Sequence, residues 1–341
     1  MSRATIFDVA ELAGVSIKTV SRVVNHEPNV RDSTRERVEQ AIIKLDYRPD
    51  QSARNLASHR SHLIGLVYDD PEAYETPSSG YIIRMQQGTL RACRSTHHEL
   101  FIHPCNYRDK DVGEELEAVI AQIKPAGIVL AAPLSNMPKI VNAITSTGTP
   151  LVKISPGSKN GKQLSIATND REISAEMTRY LASLGHQRIA YISGHPSHKA
   201  VANRFLGYQD GLEQSGIPFR ESLVCSGDNS IGSGEACAQI LLGRKDRPTA
   251  IFAANDDMAA GVVRVADRLD IDIPGELSVA GCDDIALARQ IYPALTTIRQ
   301  PLSKMAEHAA LALIEPSLQH GTEMIPAVLQ IRQSTGPAPT T

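Results

Sequence analysis

The 341-residue sequence predicts a small all-α head joined by a linker to an α/β domain of two lobes, each built on a doubly wound parallel sheet. Three observations predict it. Residues 5–45 carry helical periodicity alone, with apolar stripes at Ile6, Val9, Ala10, Leu12 and Ala13, then Val20, Val23 and Val24, then Val38, Ala41, Ile42 and Leu45. From His62 onward, short β-rich runs alternate with helical stretches, which is the pattern of parallel sheets covered by helices on both faces. The runs, at 63–68, 100–103, 127–131, 151–154, 188–192, 249–253 and 277–281, are too many for one comfortable sheet, so two similar lobes are expected. A ligand would then sit between them, beyond the C-terminal edges of the strands.

The expected divisions are 1–48 for the head, 49–61 for the linker, 62–333 for the bilobed domain and 334–341 for a disordered tail rich in Pro and Thr. Within the bilobed domain the first lobe takes about 62–168 and 299–325, and the second about 169–298 and 326–333. In the head, Thr5, Ser16 and Ser33 each stand where a side-chain oxygen can cap the next helix, and Gly14 supplies the sharp turn between the first two. Residues 50–60 hold too little apolar surface to fold alone, so they read as a conditional hinge.

Composition narrows the class. Hydrophobic residues make up 42% and charged residues 21%, Trp is absent, and no apolar run approaches the ~20 residues of a membrane span. The first eight residues, M-S-R-A-T-I-F-D, offer no secretion signal, so a cytoplasmic protein is expected. The five cysteines lie far apart, form no C-x-x-C and read as reduced core thiols. The net charge of −3 hides an asymmetry: residues 1–60 hold 10 of the 35 Lys/Arg against 8 of the 38 Asp/Glu, leaving 25 against 30 elsewhere. Any positive potential therefore belongs to the head.

Residues 5–25, T-I-F-D-V-A-E-L-A-G-V-S-I-K-T-V-S-R-V-V-N, have the layout of a helix-turn-helix. Ala10, Gly14, Val15 and Val20 fall where two helices must approach closely. The second helix then presents Ile17, Lys18, Ser21 and Arg22 outward as groove-facing side chains. Arg22 can donate two hydrogen bonds to the O6 and N7 of a guanine, Ile17 can offer an apolar face to a thymine methyl, and Lys18 suits a base or a phosphate. Thr5, Ser16, Thr19, Asn25 and Thr34 suit phosphates, which fix register without carrying sequence information.

That segment, followed by T-R-E-R-V at 34–38, L-D-Y-R-P at 45–49 and A-R-N-L-A at 53–57, closely resembles the LacI/GalR family of bacterial repressors, and the resemblance runs through almost the whole chain. It implies that the hinge becomes helical only on operator DNA, where Leu56, with Ala53 beside it, wedges into the minor groove and kinks the duplex. Arg54 and Arg60 are expected on phosphates. It also implies a sensor domain of the type I periplasmic sugar-binding fold, on three motifs: R-F-L-G-Y at 204–208, A-A-N-D-D-M-A at 253–259 and V-A-G-C-D-D at 279–284. These place Arg204, Asn255 and Asp283 as donor, donor-acceptor and acceptor for vicinal sugar hydroxyls, with Gln300 at a lobe crossover as a fourth polar contact. Asp256 and Asp284 are expected as helix caps or surface pairs. In the first lobe Asp69, Asp70, Tyr74 and Tyr81 follow the first strand without a ranking. One departure is Asn169-Asp170, where the family often shows D-N.

Rival chemistries are weaker. The pairs Asp69-Asp70, Asp256-Asp257 and Asp283-Asp284 are adjacent in sequence and cannot converge on one scissile bond, so an enzyme is not expected. His195 and His198 have H-x-x-H spacing but no Cys or Glu completes a metal set, and they read as solvated loop histidines, as do His97 and His98. Gly232-Ser233-Gly234 lacks the Lys of a phosphate loop. No cofactor is expected. The expected function is a DNA-binding regulator, a repressor of carbohydrate-utilisation genes, which binds a pseudo-palindromic operator as a homodimer under the control of a sugar-like effector. The alternatives are a sugar-binding protein without DNA function, or an effector of another class such as a purine or nucleoside.

Overall fold

The computed structural model describes residues 4–24, 30–47, 61–70, 79–157, 162–315 and 320–340. The chain divides into two compact units, 1–61 and 62–341.

The first unit holds α1 (Ile6–Ala13), α2 (Ile17–Val24) and α3 (Asp32–Lys44). Thr5 opens α1 with a capping box: the Asp8 carboxylate accepts from Thr5 N at 2.7 Å, and Asp8 N donates back to Thr5 Oγ1 at 3.4 Å. Gly14 ends α1 at φ 63°, left-handed backbone that favours glycine, which turns the chain into α2. Ser16 Oγ accepts from Thr19 N at 3.2 Å and so caps α2. Ser33, expected as the third cap, lies inside α3, whose N-cap position is Arg31; the helix begins two residues earlier than the sequence suggested, with Asp32 in its first turn. Val9, Ala10, Ala13, Val20, Val23, Val38 and Ala41 form the core, their small size matching the close approach of three short helices.

In the second unit the first sheet holds β1 (Leu63–Asp69), β2 (Glu99–Cys105), β3 (Gly127–Leu130), β4 (Leu151–Ile154) and β5 (Leu164–Ala167), interleaved with α4 (Gly80–Ser95), α5 (Val112–Ile123) and α6 (Pro138–Ser146). The chain then enters the other lobe through α7 (Asp170–Ser183), β6 (Ile189–Ser193), α8 (Lys199–Gln214), β7 (Val224–Ser226), α9 (Ile231–Leu242), β8 (Ala250–Ala253), α10 (Asp256–Arg268), β9 (Ser278–Cys282), α11 (Leu287–Gln290) and β10 (Thr296–Arg299). It returns through α12 (Leu302–Ile314) and β11 (Thr322–Met324), and crosses once more to β12 (Val328–Gln330).

The first sheet has the order β11-β5-β4-β3-β1-β2 and is parallel throughout. The second has the order β12-β10-β9-β8-β6-β7 and is parallel except where β12 meets β10. Central strands such as β3, β4, β8 and β9 are buried along their whole length, as helices on both faces require. Three passages join the lobes, at 168–169, 300–301 and 325–327. Asn169 ties two of them together, its Oδ1 accepting from Ala327 N at 2.8 Å, which is what the departure at Asn169-Asp170 does at that edge.

The expected disordered tail is corrected for the described residues up to Thr340. Ser334 is buried; its Oγ donates to Val279 O at 2.6 Å and accepts from Thr296 N at 2.8 Å. Thr335 Oγ1 bonds to Thr296 Oγ1 and to the Tyr180 hydroxyl, and Ala338 N donates to Leu184 O at 2.8 Å. A composition of Ser, Thr and Pro lacks apolar periodicity, yet here its hydroxyls satisfy backbone groups at the end of the second sheet. Among the described residues, no helix is long and apolar enough to cross a membrane.

Candidate nucleic-acid interface and ligand cleft

On the head, Val20 and Val23 turn into the core, so the opposite side of α2 faces solvent. Ile17 is 41% exposed, Lys18 and Arg22 are exposed, and Ser21 is half-buried. Ile17 is one of several large apolar side chains exposed on the head, with Phe7, Leu12 and Ile43. Beside it Ser16, Thr19, Arg22, Arg31, Thr34 and Arg37 line one shallow concavity. Three guanidiniums around a ring of hydroxyls at the start of two helices form a site suited to phosphate oxygens. The sequence reading missed Arg31 and Arg37; their spacing from Thr34, three residues either side, puts all three on one face of α3 and was the available signal. Thr5 is committed to its capping box. Asn25, Ala53 and Leu56, like Arg54, Arg60 and Tyr74, lie outside the described residues.

In the second unit, Arg204, Asp283 and Gln300 converge although nearly a hundred residues separate the first from the last. Arg204, on α8, is buried and donates from Nε to Asp170 Oδ1 at 2.8 Å and from Nη1 to Ala254 O at 2.6 Å. Nη1 also lies 3.9 Å from Asp283 Oδ1. Gln300 Nε2 donates to that same oxygen. Asp283 takes φ 122°, a conformation a non-glycine residue adopts only when its surroundings hold it there. Burial pushes its carboxyl up to about 6, with Arg204 and Gln300 pulling the other way. Asp170 is likewise raised by burial against the pull of Arg204.

Asn255 has two structural duties. It is the N-cap of α10, its Oδ1 accepting from Met258 N at 2.9 Å, and its Nδ2 donates to Asn229 O at 2.9 Å. One amide hydrogen and one lone pair remain for anything else. Asp256, expected as a cap or a surface pair, is instead fully buried, accepting from Thr297 Oγ1 and from Ile285 N at 3.0 Å. Asp284 is corrected too: no surface ion pair or cap, it is buried at φ 53° and takes hydrogen bonds from Arg289 at 3.0 Å, Arg299 at 2.6 Å and Arg332 at 2.5 Å. Burial works to raise its carboxyl, but the three guanidiniums hold it below the usual range. This cluster pins the turn that carries Asp283.

The first lobe supplies Tyr81, in the first turn of α4. Its hydroxyl is held protonated by burial and then by the charge of Asp283, with Arg204, Asp170 and Ser155 also close enough to act on it. Asp69 accepts from Tyr107 N at 2.9 Å and is raised by burial. The reading of His195 and His198 as solvated is corrected. The Tyr107 hydroxyl of the first lobe meets His195 Nε2 of the second at 3.2 Å. His198 is pushed down to about 4 by burial, then by the charge of Arg204, so it stays neutral at physiological pH. Sequence spacing carries no signal for a contact between residues 88 positions apart. Together these groups gather polar side chains of both lobes, the Arg204 guanidinium with several carboxylates, hydroxyls and the neutral His198 imidazole, beyond the C-terminal ends of the central strands of both sheets.

Comparison with known proteins agrees with both halves. A model of bacterial regulatory proteins of the lacI family matches residues 5–50, and a model of the periplasmic binding protein-like domain matches residues 178–335. The HTH-type transcriptional regulator GalR of Escherichia coli (strain K12) is 35% identical over 312 residues, 90% of this chain and 87% of that protein. The HTH-type transcriptional repressor PurR of Yersinia pestis bv. Antiqua (strain Antiqua) is 33% identical over 92% of this chain and 90% of its own. Among solved structures, a Lac repressor dimer bound to operator and the anti-inducer ONPF superposes with a TM-score of 0.81 at 26% identity, over 98% of this chain and all of that one. A complex of the transcriptional regulator CelR with cellobiose gives 0.73 at 27%, over 97% of this chain and all of that one. Alike in head, in two-lobed domain and along nine tenths of its length, the chain belongs to the LacI family of DNA-binding transcriptional regulators.

Proposed function

We propose that the protein is a cytoplasmic, homodimeric repressor of carbohydrate-utilisation genes, whose affinity for a pseudo-palindromic operator is set by a sugar-like effector held between its lobes. On the DNA side, a single head of three short helices reaches too few base pairs to be selective, which favours two heads on a two-fold site. Arg22 reads a guanine, a contact worth about 1–3 kcal/mol of discrimination. Ile17 and Ser21 touch base edges, and Lys18 a base or a phosphate. Ser16, Thr19, Asn25 and Thr34, joined by Arg31 and Arg37, hold phosphates, and Thr5 takes part only by releasing its hydroxyl from the capping box when DNA binds. Leu56, with Ala53, forms the minor-groove wedge.

The observation that carries the effector half is the convergence of the buried Arg204, Asp283 and Gln300 opposite the half-buried Tyr81 of the other lobe. Such a set suits the alternating hydroxyls of a sugar. Asn255 offers its remaining amide hydrogen. A ligand that prefers one arrangement of the lobes shifts their population, and with it the separation of the two hinges on DNA.

The test is a thermal-shift screen of sugars and of purines with the purified chain, followed by calorimetry on any hit. A ligand that binds only the folded state must raise the midpoint. A sugar that stabilises wild type but not Tyr81→Phe supports the reading. A purine that stabilises where no sugar does replaces the sugar by a purine in the same cleft.

A further inference from the structure

We infer that two glycines in the first lobe, Gly80 and Gly157, are the steric permits for lobe closure, one at each of two seats on the second lobe. The inference deepens the reading of an effector enclosed between lobes, because it identifies what decides whether the lobes can meet.

The first seat is the start of α4 against the turn after β9. A Cβ built on Gly80 would stand 2.7 Å from Ile285 Cβ and 2.9 Å from its Cγ2. Ile285 is buried and its N–H is tied to Asp256 Oδ2 at 3.0 Å, so it has nowhere to swing. On the same seat Arg84 Nη2 donates to Asp284 O at 2.8 Å, and that oxygen belongs to the turn pinned by the three arginines. The second seat is the loop after β4 against the first turn of α8. A Cβ on Gly157 would stand 2.2 Å from Lys199 Cβ and 2.9 Å from its carbonyl carbon. Helix backbone cannot give way as the end of a flexible side chain can. Gly157 also takes φ 63°, so the position favours glycine twice over.

Ordinary carbon contacts lie at about 3.5–4.0 Å. A side chain at either position must therefore part its seat by about an ångström, and the three passages between the lobes provide the hinge for that movement. Glycine has no side chain with which to touch a ligand, so the substitutions act first on the packing of the two seats.

The experiment measures the separation of the lobes in the full chain without ligand. Spin labels are placed at Glu114→Cys on α5 and Gln239→Cys on α9, in a Cys225→Ser background, and the labelled chain is diluted into excess unlabelled chain so that each measured pair lies in one molecule. Gly157→Val and Gly80→Val should each change the mean label distance or broaden its distribution. Gly148→Val, at φ 76° with nothing within 4 Å, carries the same backbone strain without a seat and should leave the distribution unchanged. Gly80→Ala, which adds only the Cβ, should change the distribution as well, and Ile285→Gly, which removes the Cβ that it strikes, should restore the wild-type distribution in that background. A wild-type distribution for Gly157→Val and Gly80→Val, an equal change for Gly148→Val, or no restoration of Gly80→Ala by Ile285→Gly would overturn the inference. Failure of the effector reading looks different: the distances respond as described but no small molecule stabilises the protein.

Discussion

Replacing Arg204 by Met tests the buried half of the cleft most sharply. Arg204 is 6% exposed and its two main partners, Asp170 Oδ1 at 2.8 Å and Ala254 O at 2.6 Å, are also shut away from water. Methionine keeps much of the volume but removes every donor. Breaking a buried ion pair by deleting one partner costs about 3–5 kcal/mol, because the other charge stays buried and uncompensated. The orphaned carbonyl would add ~1–3 kcal/mol on its own, but the two losses share one site and do not sum. About 4 kcal/mol is therefore expected, a large share of the ~5–15 kcal/mol that holds an ordinary domain.

The deficit should depend on pH with a definite sign. Burial already raises the Asp170 carboxyl, and Arg204 opposes that rise; without Arg204 it climbs further. A carboxyl raised in the fold contributes stability at low pH that is lost as pH rises through its folded value. Arg204→Met should thus be least damaging in acid and most damaging at neutral pH. Asp170→Asn added to Arg204→Met should recover part of the loss, since a neutral amide is cheaper to bury than a lone charge. Urea denaturation of the three proteins at pH 5 and pH 7.5 measures this. A deficit below about 1 kcal/mol, or one that ignores pH, would refute the ion-pair account. It follows that a lost ligand response in an Arg204 variant cannot by itself identify a ligand contact; Tyr81→Phe, which leaves the pair intact, separates the two roles.

Three further outcomes are expected. Burial pushes the Asp283 carboxyl up to about 6 from 3.8, so the folded chain holds its proton more tightly than the unfolded one; Asp283→Asn should gain on wild type as pH rises from 4 to 7, and a constant gap between their midpoints would contradict this. Ser334→Ala leaves Thr296 N and Val279 O without the hydroxyl they share, so a loss of about 1–3 kcal/mol in chemical denaturation is expected, whereas a neutral result would mean the tail does not hold the second sheet. Arg22→Ala should relax base preference at one operator position while leaving binding to random duplex nearly unchanged; retention of full selectivity would remove Arg22 from base reading.

What the sequence made legible follows from periodicity and local motifs. The helix-turn-helix was visible because Thr5, Gly14 and Ser16 act on neighbours within a few residues. The two lobes were visible because buried parallel strands read as continuous apolar runs. Short strands such as β5, L-S-I-A, and β10, T-T-I-R, were missed because four residues with polar members carry no clear period. Arg204 and Asp283 stood out through motifs, but nothing in sequence told that Asp256 and Asp284 would be buried, since that depends on Thr297, Arg299 and Arg332 arriving from other elements. Tyr81, Tyr107, His195 and Arg84 were unranked or misread for the same reason: their partners lie across the lobes, up to 200 positions away. The ordered tail was hidden by a composition that usually signals disorder.

In the proposed mechanism two heads read a two-fold DNA site and the cleft controls how well they do so. The most direct measurement is selection of duplexes from a random pool by the purified full-length chain, repeated with the ligand found in the thermal screen. The expected result is enrichment of one pseudo-palindromic sequence whose affinity changes when that ligand is added, and loss of the change in Tyr81→Phe. Recovery of no palindromic sequence, or of one whose affinity the ligand leaves untouched, would contradict it.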